Sequence, residues 1–235
     1  MTELPSGYIP VLDHGYVGLV DSMGTDLSAT AAARVSYDKN VHEWNAKEAR
    51  LLAFLAKEEH TSVFRHSTLS FEVYAPFMVA RQWWKYAVAS SHVEDQLGWN
   101  ESSRRYITEE PTFYIPAYNQ WRSKPENSKQ GSGPVLEDSV GNFLTADLKM
   151  YVDKGVQLYD EAMEAGAAPE QARLFLPAYG MYVRWRWTAS LGAVTHFLQQ
   201  RLEHDAQKEI FDFAVVVKDL AATKFPHTVE SLLAK

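Results

Sequence analysis

Between Ser67 and Ala75 apolar and polar residues alternate, with Leu69, Phe71 and Val73 on one side and Thr68, Ser70, Glu72 and Tyr74 on the other. A period of two over this length predicts a half-buried strand. Alternation returns from Tyr179 to Trp187, where Tyr179, Met181, Val183, Trp185 and Trp187 face away from Gly180, Tyr182, Arg184 and Arg186. That strand has an aromatic face and a cationic face. The aromatic face reads as core or subunit interface rather than a base-stacking platform, because buried rings at this period are ordinary sheet residues. Shorter strands are predicted at Tyr16 to Val20 and at Phe113 to Pro116.

Helical spacing fills most of the remainder. Asp26 reads as the N-cap of a helix through Leu27 to Ala33, and Ala46 to Glu59 as a second helix. The second turns Leu51, Leu52 and Leu55 inward and Lys47, Glu48, Arg50, Lys57 and Glu58 outward. Pro76 suits the first turn of a third, with Phe77, Ala80 and Trp84 on one face and Arg81, Gln82 and Lys85 on the other. A long helix over 136–165 stops at Gly166, and Pro169 opens another helical turn carrying Arg173. Helices follow over Ala193 to Leu202, His204 to Phe225, and from His227 onward. The polar stretch from Ala117 to Gly133 reads as a loop or lid inside one domain. With no internal repeat, this order predicts a single α+β domain over 1–235, with a small mixed or antiparallel sheet and long helices.

Composition narrows the chemistry. The chain has 235 residues with 13% aromatics, including seven Trp and twelve Tyr, which excludes a disordered-protein reading. It carries a net charge of −7, so it lacks the broad basic field of a nucleic-acid binder, and any phosphate site must be a local pocket. No apolar run long enough for a membrane span and no basic, apolar leader is visible, so a cytoplasmic protein is expected. There is no cysteine, which removes disulfides, thiolate metal sites and thiolate catalysis. His60 and His66 match neither a helical metal pair nor a zinc spacing, and no metal is expected. Neither a G-x-G-x-x-G nor a G-x-x-x-x-G-K-[ST] motif is present, so a Rossmann or P-loop assignment has no support.

The densest chemistry lies in Pro76 to Tyr106, where Arg81, Gln82 and Lys85 precede Asn100-Glu101-Ser102-Ser103-Arg104-Arg105-Tyr106. Guanidinium groups beside a carboxylate and hydroxyls suit a phosphorylated, hydrogen-bonding ligand. Ala80-Arg81-Gln82-Trp83-Trp84, Ala89-Ser90 and Asn100-Glu101-x-Ser103-x-Arg105-Tyr106 resemble the signature segment of the flavin-dependent thymidylate synthases. The likeness extends through Leu12 to Asp38, His60 to His66 and Gly166 to Glu209. It departs twice in this segment and once outside it: the family usually has Arg-His-Arg where this chain has Lys85-Tyr86-Ala87, Ser91 to Trp99 reads as an inserted loop, and Arg65 stands where a glutamate is usual. Lysine keeps a charge but not the guanidinium fork, tyrosine keeps a ring and a donor, and alanine removes a cation. His92, Gln96 and Trp99 of the insertion, or Arg65 and Arg186 of a neighbouring subunit, are the candidate replacements.

The resemblance implies an enzyme that makes dTMP from dUMP, with methylenetetrahydrofolate as carbon donor and FAD carrying hydride from NADPH. Sites are shared between subunits of a homotetramer. It places Gln82, Trp83, Trp84, Lys85, Glu101, Ser102, Ser103, Arg104, Arg105, Arg173 and Arg201 at the nucleotide. Ser36, His60, Ser62, Lys85, Tyr86, Ala87, Glu101, Ser190 and His196 fall at the FAD. Arg201 matches the position held to help ionise the uracil imide, a role suited to a group charged at any working pH. Read by themselves, Arg201 could equally pair with Glu203 or Glu209 on a helix surface, and Ser36 could simply close a helix. The altered segment leaves open the same fold acting on UMP, a hydroxymethylated product, or an inactive nucleotide-binding homologue. A Trp-rich scaffold without chemistry fits the clustered Arg, Gln and Glu least.

Overall fold

The computed structural model describes residues 4–89, 96–103, 110–126 and 131–234, with residues 85–89, 96 and 97 described as backbone alone. Five strands form one antiparallel sheet: β1 (Tyr8–Val11), β2 (Gly15–Met23), β3 (Thr68–Pro76), β4 (Gln96–Glu101) and β5 (Tyr182–Ser190). Their order across the sheet is β1-β2-β3-β5-β4. The predicted alternation sets the two faces. Leu69, Phe71, Val73 and Ala75 of β3 and Val183, Trp185, Trp187 and Ala189 of β5 are buried on the inner face. The aromatic side of β5 is therefore core.

Three helices cover that face: α3 (Phe77–Ala89), α6 (Leu191–Arg201) and α7 (Lys208–Ala222). Val79, Ala80 and Trp83 of α3 enter one core cluster with Val194, Phe197 and Leu198 of α6 and Ile210, Phe213 and Val217 of α7. A second cluster lies between α1 (Asp26–Val35) and α2 (Ala46–Lys57), joined by Phe64 and by Leu232 of α8 (Pro226–Leu233). The long α4 (Asp138–Glu164) contributes Val152 to a third, with Phe113 and Leu176, and the single-turn α5 (Pro169–Ala172) follows it. Much of α4 stays open, Phe143, Met150 and Tyr151 each being more than half exposed.

Several sequence expectations change. Pro76 ends β3 and the helix begins at Phe77. On α3 it is Trp83, at 0% exposure, that packs, whereas Trp84 is 45% exposed with the Arg81 guanidinium 5.9 Å from its ring centre. Thr25, not Asp26, is the N-cap of α1. Asp26 instead caps α8, accepting bonds from the His227 N–H (3.1 Å), the Thr228 N–H (2.8 Å) and the Thr228 hydroxyl (2.7 Å). A carboxylate at a helix N-terminus meets both the orphan N–H groups and the positive end of the dipole. Glu48 turns inward rather than outward, because its carboxylate pairs at 2.8 Å with Arg34 of α1.

The strands shift too. Residues 96–99 of the predicted insertion loop belong to β4, which pairs with β5 and stacks Trp99 on Trp185 at 5.2 Å. Phe113 to Pro116 reduces to a single bridge, Phe113 to Met181. β5 starts at Tyr182 rather than Tyr179 and runs on to Ser190, and α7 starts at Lys208 rather than His204. β1 was not anticipated; Pro10 lies within it, which an edge strand tolerates.

Candidate active site

The outer face of the sheet carries charge and hydroxyls. Tyr8, Tyr16, Tyr74 and Tyr182 run across four strands with ring centres 5.4, 5.5 and 4.9 Å apart in succession. Gly18 permits this approach, since a Cβ there would meet the Tyr8 ring at 2.6 Å. Glu72 accepts a bond from the Tyr16 hydroxyl (3.1 Å) and pairs with Arg186 (3.0 Å), so Arg186 already has a partner within its own chain. Burial, reinforced by the Glu72 charge, pushes the Tyr16 phenol up to about 12. At the edge, Ser102 extends the β4–β5 ladder: its N–H donates to the Arg184 carbonyl (2.7 Å) and its hydroxyl accepts from the Arg184 N–H (3.1 Å). Desolvation raises the pKa of the Glu101 carboxyl, and a hydrogen bond with Trp99 partly offsets it. Ser103 follows, half-buried.

A second group gathers on the helical side. Arg201 ends α6, and its Nη1 donates to Gln82 Oε1 of α3 at 3.5 Å. Gln82 Nε2 donates in turn to Gln207 Oε1, and Gln207 Nε2 donates to Glu209 Oε2 at 2.7 Å. The Tyr114 hydroxyl is hydrogen-bonded to Glu209, and burial with the surrounding carboxylates pushes that phenol above its ordinary value. A cavity of about 380 Å³ lies against Gln207 and Glu209, walled by Met78, Tyr114, Leu148 and Tyr179 among others.

Helices bring the remaining candidates into two places. Ser36 is the C-cap of α1, and Ser62 stands exposed on a 3₁₀ helix, Thr61–His66, that packs against both α1 and α6. His60 caps that 3₁₀ helix, its ring 6.0 Å from Phe54. Ser190 is buried, and its hydroxyl accepts the Ala193 N–H at 3.1 Å as the N-cap of α6. His196 lies five residues before Arg201 on the same helix, partly buried. Arg173 is exposed and donates to the Glu170 carbonyl at 3.3 Å.

The structure thus joins Gln82 to Arg201 and sets the elements bearing Ser36, Ser62 and His196 together. Trp83 is committed to the core and Ser190 to a helix cap. Arg104, Arg105, His92 and the side chains of Lys85, Tyr86, Ala87 and Gln96 lie outside the described residues. Sequence reasoning missed Gln207 and Tyr114, and it offered Glu209 only as a direct surface partner of Arg201. The Gln207–Glu209 spacing at the head of a helix gave no local sign of contact with a side chain 125 residues away.

The chain is similar to known proteins along most of its length. The family described as "Thymidylate synthase complementing protein" matches residues 18–227. A flavin-dependent thymidylate synthase from Thermotoga neapolitana is 37% identical over 228 residues, covering 96% of this chain and 94% of the relative. Another, from Thermus thermophilus, is 36% identical over 221 residues, covering 93% and 75%. Among solved structures, a UMP/dUMP methylase, PolB from Streptomyces cacaoi bound with 5-Br dUMP, has a TM-score of 0.80 at 26% identity. That match covers 96% of this chain and 97% of the other.

Proposed function

The chain belongs to the flavin-dependent thymidylate synthase family, and from that premise we propose that it converts dUMP to dTMP. The carbon donor is methylenetetrahydrofolate, and the reductant is FAD reduced by NADPH. The observation that carries the reading is the contact between Arg201 and Gln82, from two helices that share the core against the sheet. A guanidinium held at a fixed amide can stand beside a uracil ring, stabilise charge developing on the imide and make C5 more nucleophilic. No thiolate can add at C6, because the chain has no cysteine.

The residues on hand fit a flavin dinucleotide by the chemistry of their donors. On the 3₁₀ helix, Val63 and Phe64 anchor inward while Thr61, Ser62, Arg65 and His66 face outward. Hydroxyls, imidazole and guanidinium are what a pyrophosphate and a polyol chain require. Ser36, His60, Ser62 and His196 would hold the group, and the reduced flavin would supply hydride. Around it the chain's own residues orient the nucleotide: Arg201 and Gln82 at the base, and Glu101, Ser103, Arg104, Arg105 and Arg173 as further nucleotide contacts.

The test is dUMP-dependent oxidation of NADPH by FAD-loaded protein, with dTMP as product. Absence of both, in protein that binds FAD, would overturn the reading. A second substrate is favoured by one observation: PolB is a UMP/dUMP methylase, also solved with 5-Br UMP at a TM-score of 0.79. Parallel turnover is expected to favour dUMP, and faster turnover of UMP would transfer the assignment to the ribonucleotide. A colourless protein that takes up no FAD would favour an inactive homologue.

The site is shared in a homotetramer on this reading, consistent with the exposed Phe143, Met150 and Tyr151 of α4. Light scattering at micromolar concentration should give a mass near four chains. A mass near one 26.7 kDa chain would rule the shared site out.

A further inference from the structure

We propose that Gln207 is a positioning residue for this reaction: with Glu209, it locks the amide of Gln82, and through it the Arg201 guanidinium, in one orientation. The inference deepens the functional reading above and rests on it.

The argument starts from what each end of the chain of hydrogen bonds can do. A guanidinium only donates and a carboxylate only accepts. Between Arg201 and Glu209 lie two carboxamides, each of which could in principle be turned either way. Arg201 at one end requires the oxygen of Gln82 to face it, so the Gln82 nitrogen must point away, toward Gln207. Glu209 at the other end requires the nitrogen of Gln207, so its oxygen must face Gln82. Both requirements agree, and every link runs donor to acceptor in the same direction. Turning either amide would set nitrogen against nitrogen or oxygen against oxygen, so the orientation follows from chemistry alone.

Gln207 is the link that makes this work. It stands at the N-cap of α7, yet its side chain makes no cap bond. Its amide instead reaches forward to Glu209 and across to α3, with its nitrogen also 3.7 Å from the Met78 sulfur. Without it, Gln82 would lose the acceptor that fixes its nitrogen. Its oxygen would then be free to leave Arg201, and a guanidinium that must lie beside a planar ring would lose a support. The cavity against Gln207 leaves room for an apolar replacement of similar size, so a folded variant is attainable.

The experiment is a double-mutant cycle on the full-length, FAD-loaded enzyme, comparing Gln207→Leu, Gln82→Leu and the pair. The readout is the single-turnover rate of flavin oxidation at saturating dUMP and methylenetetrahydrofolate, alongside dUMP affinity and thermal midpoint. Gln207→Leu is expected to slow the rate about tenfold, as loss of one positioning hydrogen bond implies, with dUMP affinity within about threefold. The double variant should be no slower than Gln82→Leu alone, because Gln207 acts through Gln82. Additive losses, an unchanged rate, or a defect cured by more dUMP would overturn the proposal. If Gln207→Leu does not fold, Glu209→Gln enters the same cycle, since a carboxamide there no longer dictates the direction of the chain. Additivity in that cycle overturns the proposal equally. A wild-type protein that binds FAD but shows no dUMP-dependent oxidation refutes the functional reading itself, and this inference falls with it.

Discussion

Replacing Arg201 with lysine is expected to lower turnover on the order of a hundredfold while the protein folds normally and keeps part of its nucleotide affinity. The charge survives the substitution, so the long-range attraction that brings a nucleotide monophosphate into the site is retained. The planar fork does not survive. Nη1 of Arg201 donates to Gln82 Oε1 at 3.5 Å, and a guanidinium carries further N–H donors in the same plane. A single flexible ammonium must choose between the amide and the ring. A transition-state contact of this kind is worth about 2.7 kcal/mol or more in a water-poor site, which is the hundredfold. Steady-state turnover, dUMP affinity by titration, and the thermal midpoint decide the matter together. A turnover within about threefold of the parent would remove Arg201 from the chemistry, and a collapsed midpoint would assign it to the fold instead.

The long strands and helices were legible because their patterns are local. Leu69, Phe71 and Val73 announce β3 by themselves, and the spacing of Leu144, Leu148 and Val152 announces α4. β4 was not legible for the opposite reason. Gln96–Glu101 contains a glycine and a register shift, and it is a strand because β5 and the Trp185 ring are there to receive it. The adjacent tryptophans on α3 show how fine the margin is. Phe77, Ala80 and Trp84 define a plausible inward face, but the true face runs through Val79, Ala80 and Trp83, one residue and about 100° away. At the site, Gln82 and Arg201 could be named from family likeness. Their contact could not; Glu209 was visible only as a direct partner for Arg201, and Gln207, which links it to Gln82, carries no signal of its own until the helices are packed.

Trp83→Ala should be the most damaging single change to the fold, lowering stability by about 3–5 kcal/mol. The ring is fully buried: it stacks on Phe197 at 4.4 Å and meets Trp185 and Trp187 edge-on, each at 5.4 Å. Truncation would remove the partner of three aromatic contacts at once and leave a cavity between α3, α6 and the sheet. Trp83→Phe is expected to cost far less. A phenyl ring keeps most of the stack, and it removes an indole N–H that has no acceptor, a group whose burial already weighs against the native state. Urea unfolding of the three proteins measures the order, and a Trp83→Ala loss below about 1 kcal/mol would show that the site collapses around the gap. The same variant tests how the fold serves the chemistry. Trp83 adjoins Gln82 on α3, and Phe197 lies one turn before Arg201 on α6, so the Trp83–Phe197 stack sets the spacing of the two helices that present the pair. In Trp83→Phe, folded and nearly as stable as the parent, a small shift of α3 against α6 should therefore appear as slower turnover at saturating dUMP, before any loss of nucleotide affinity.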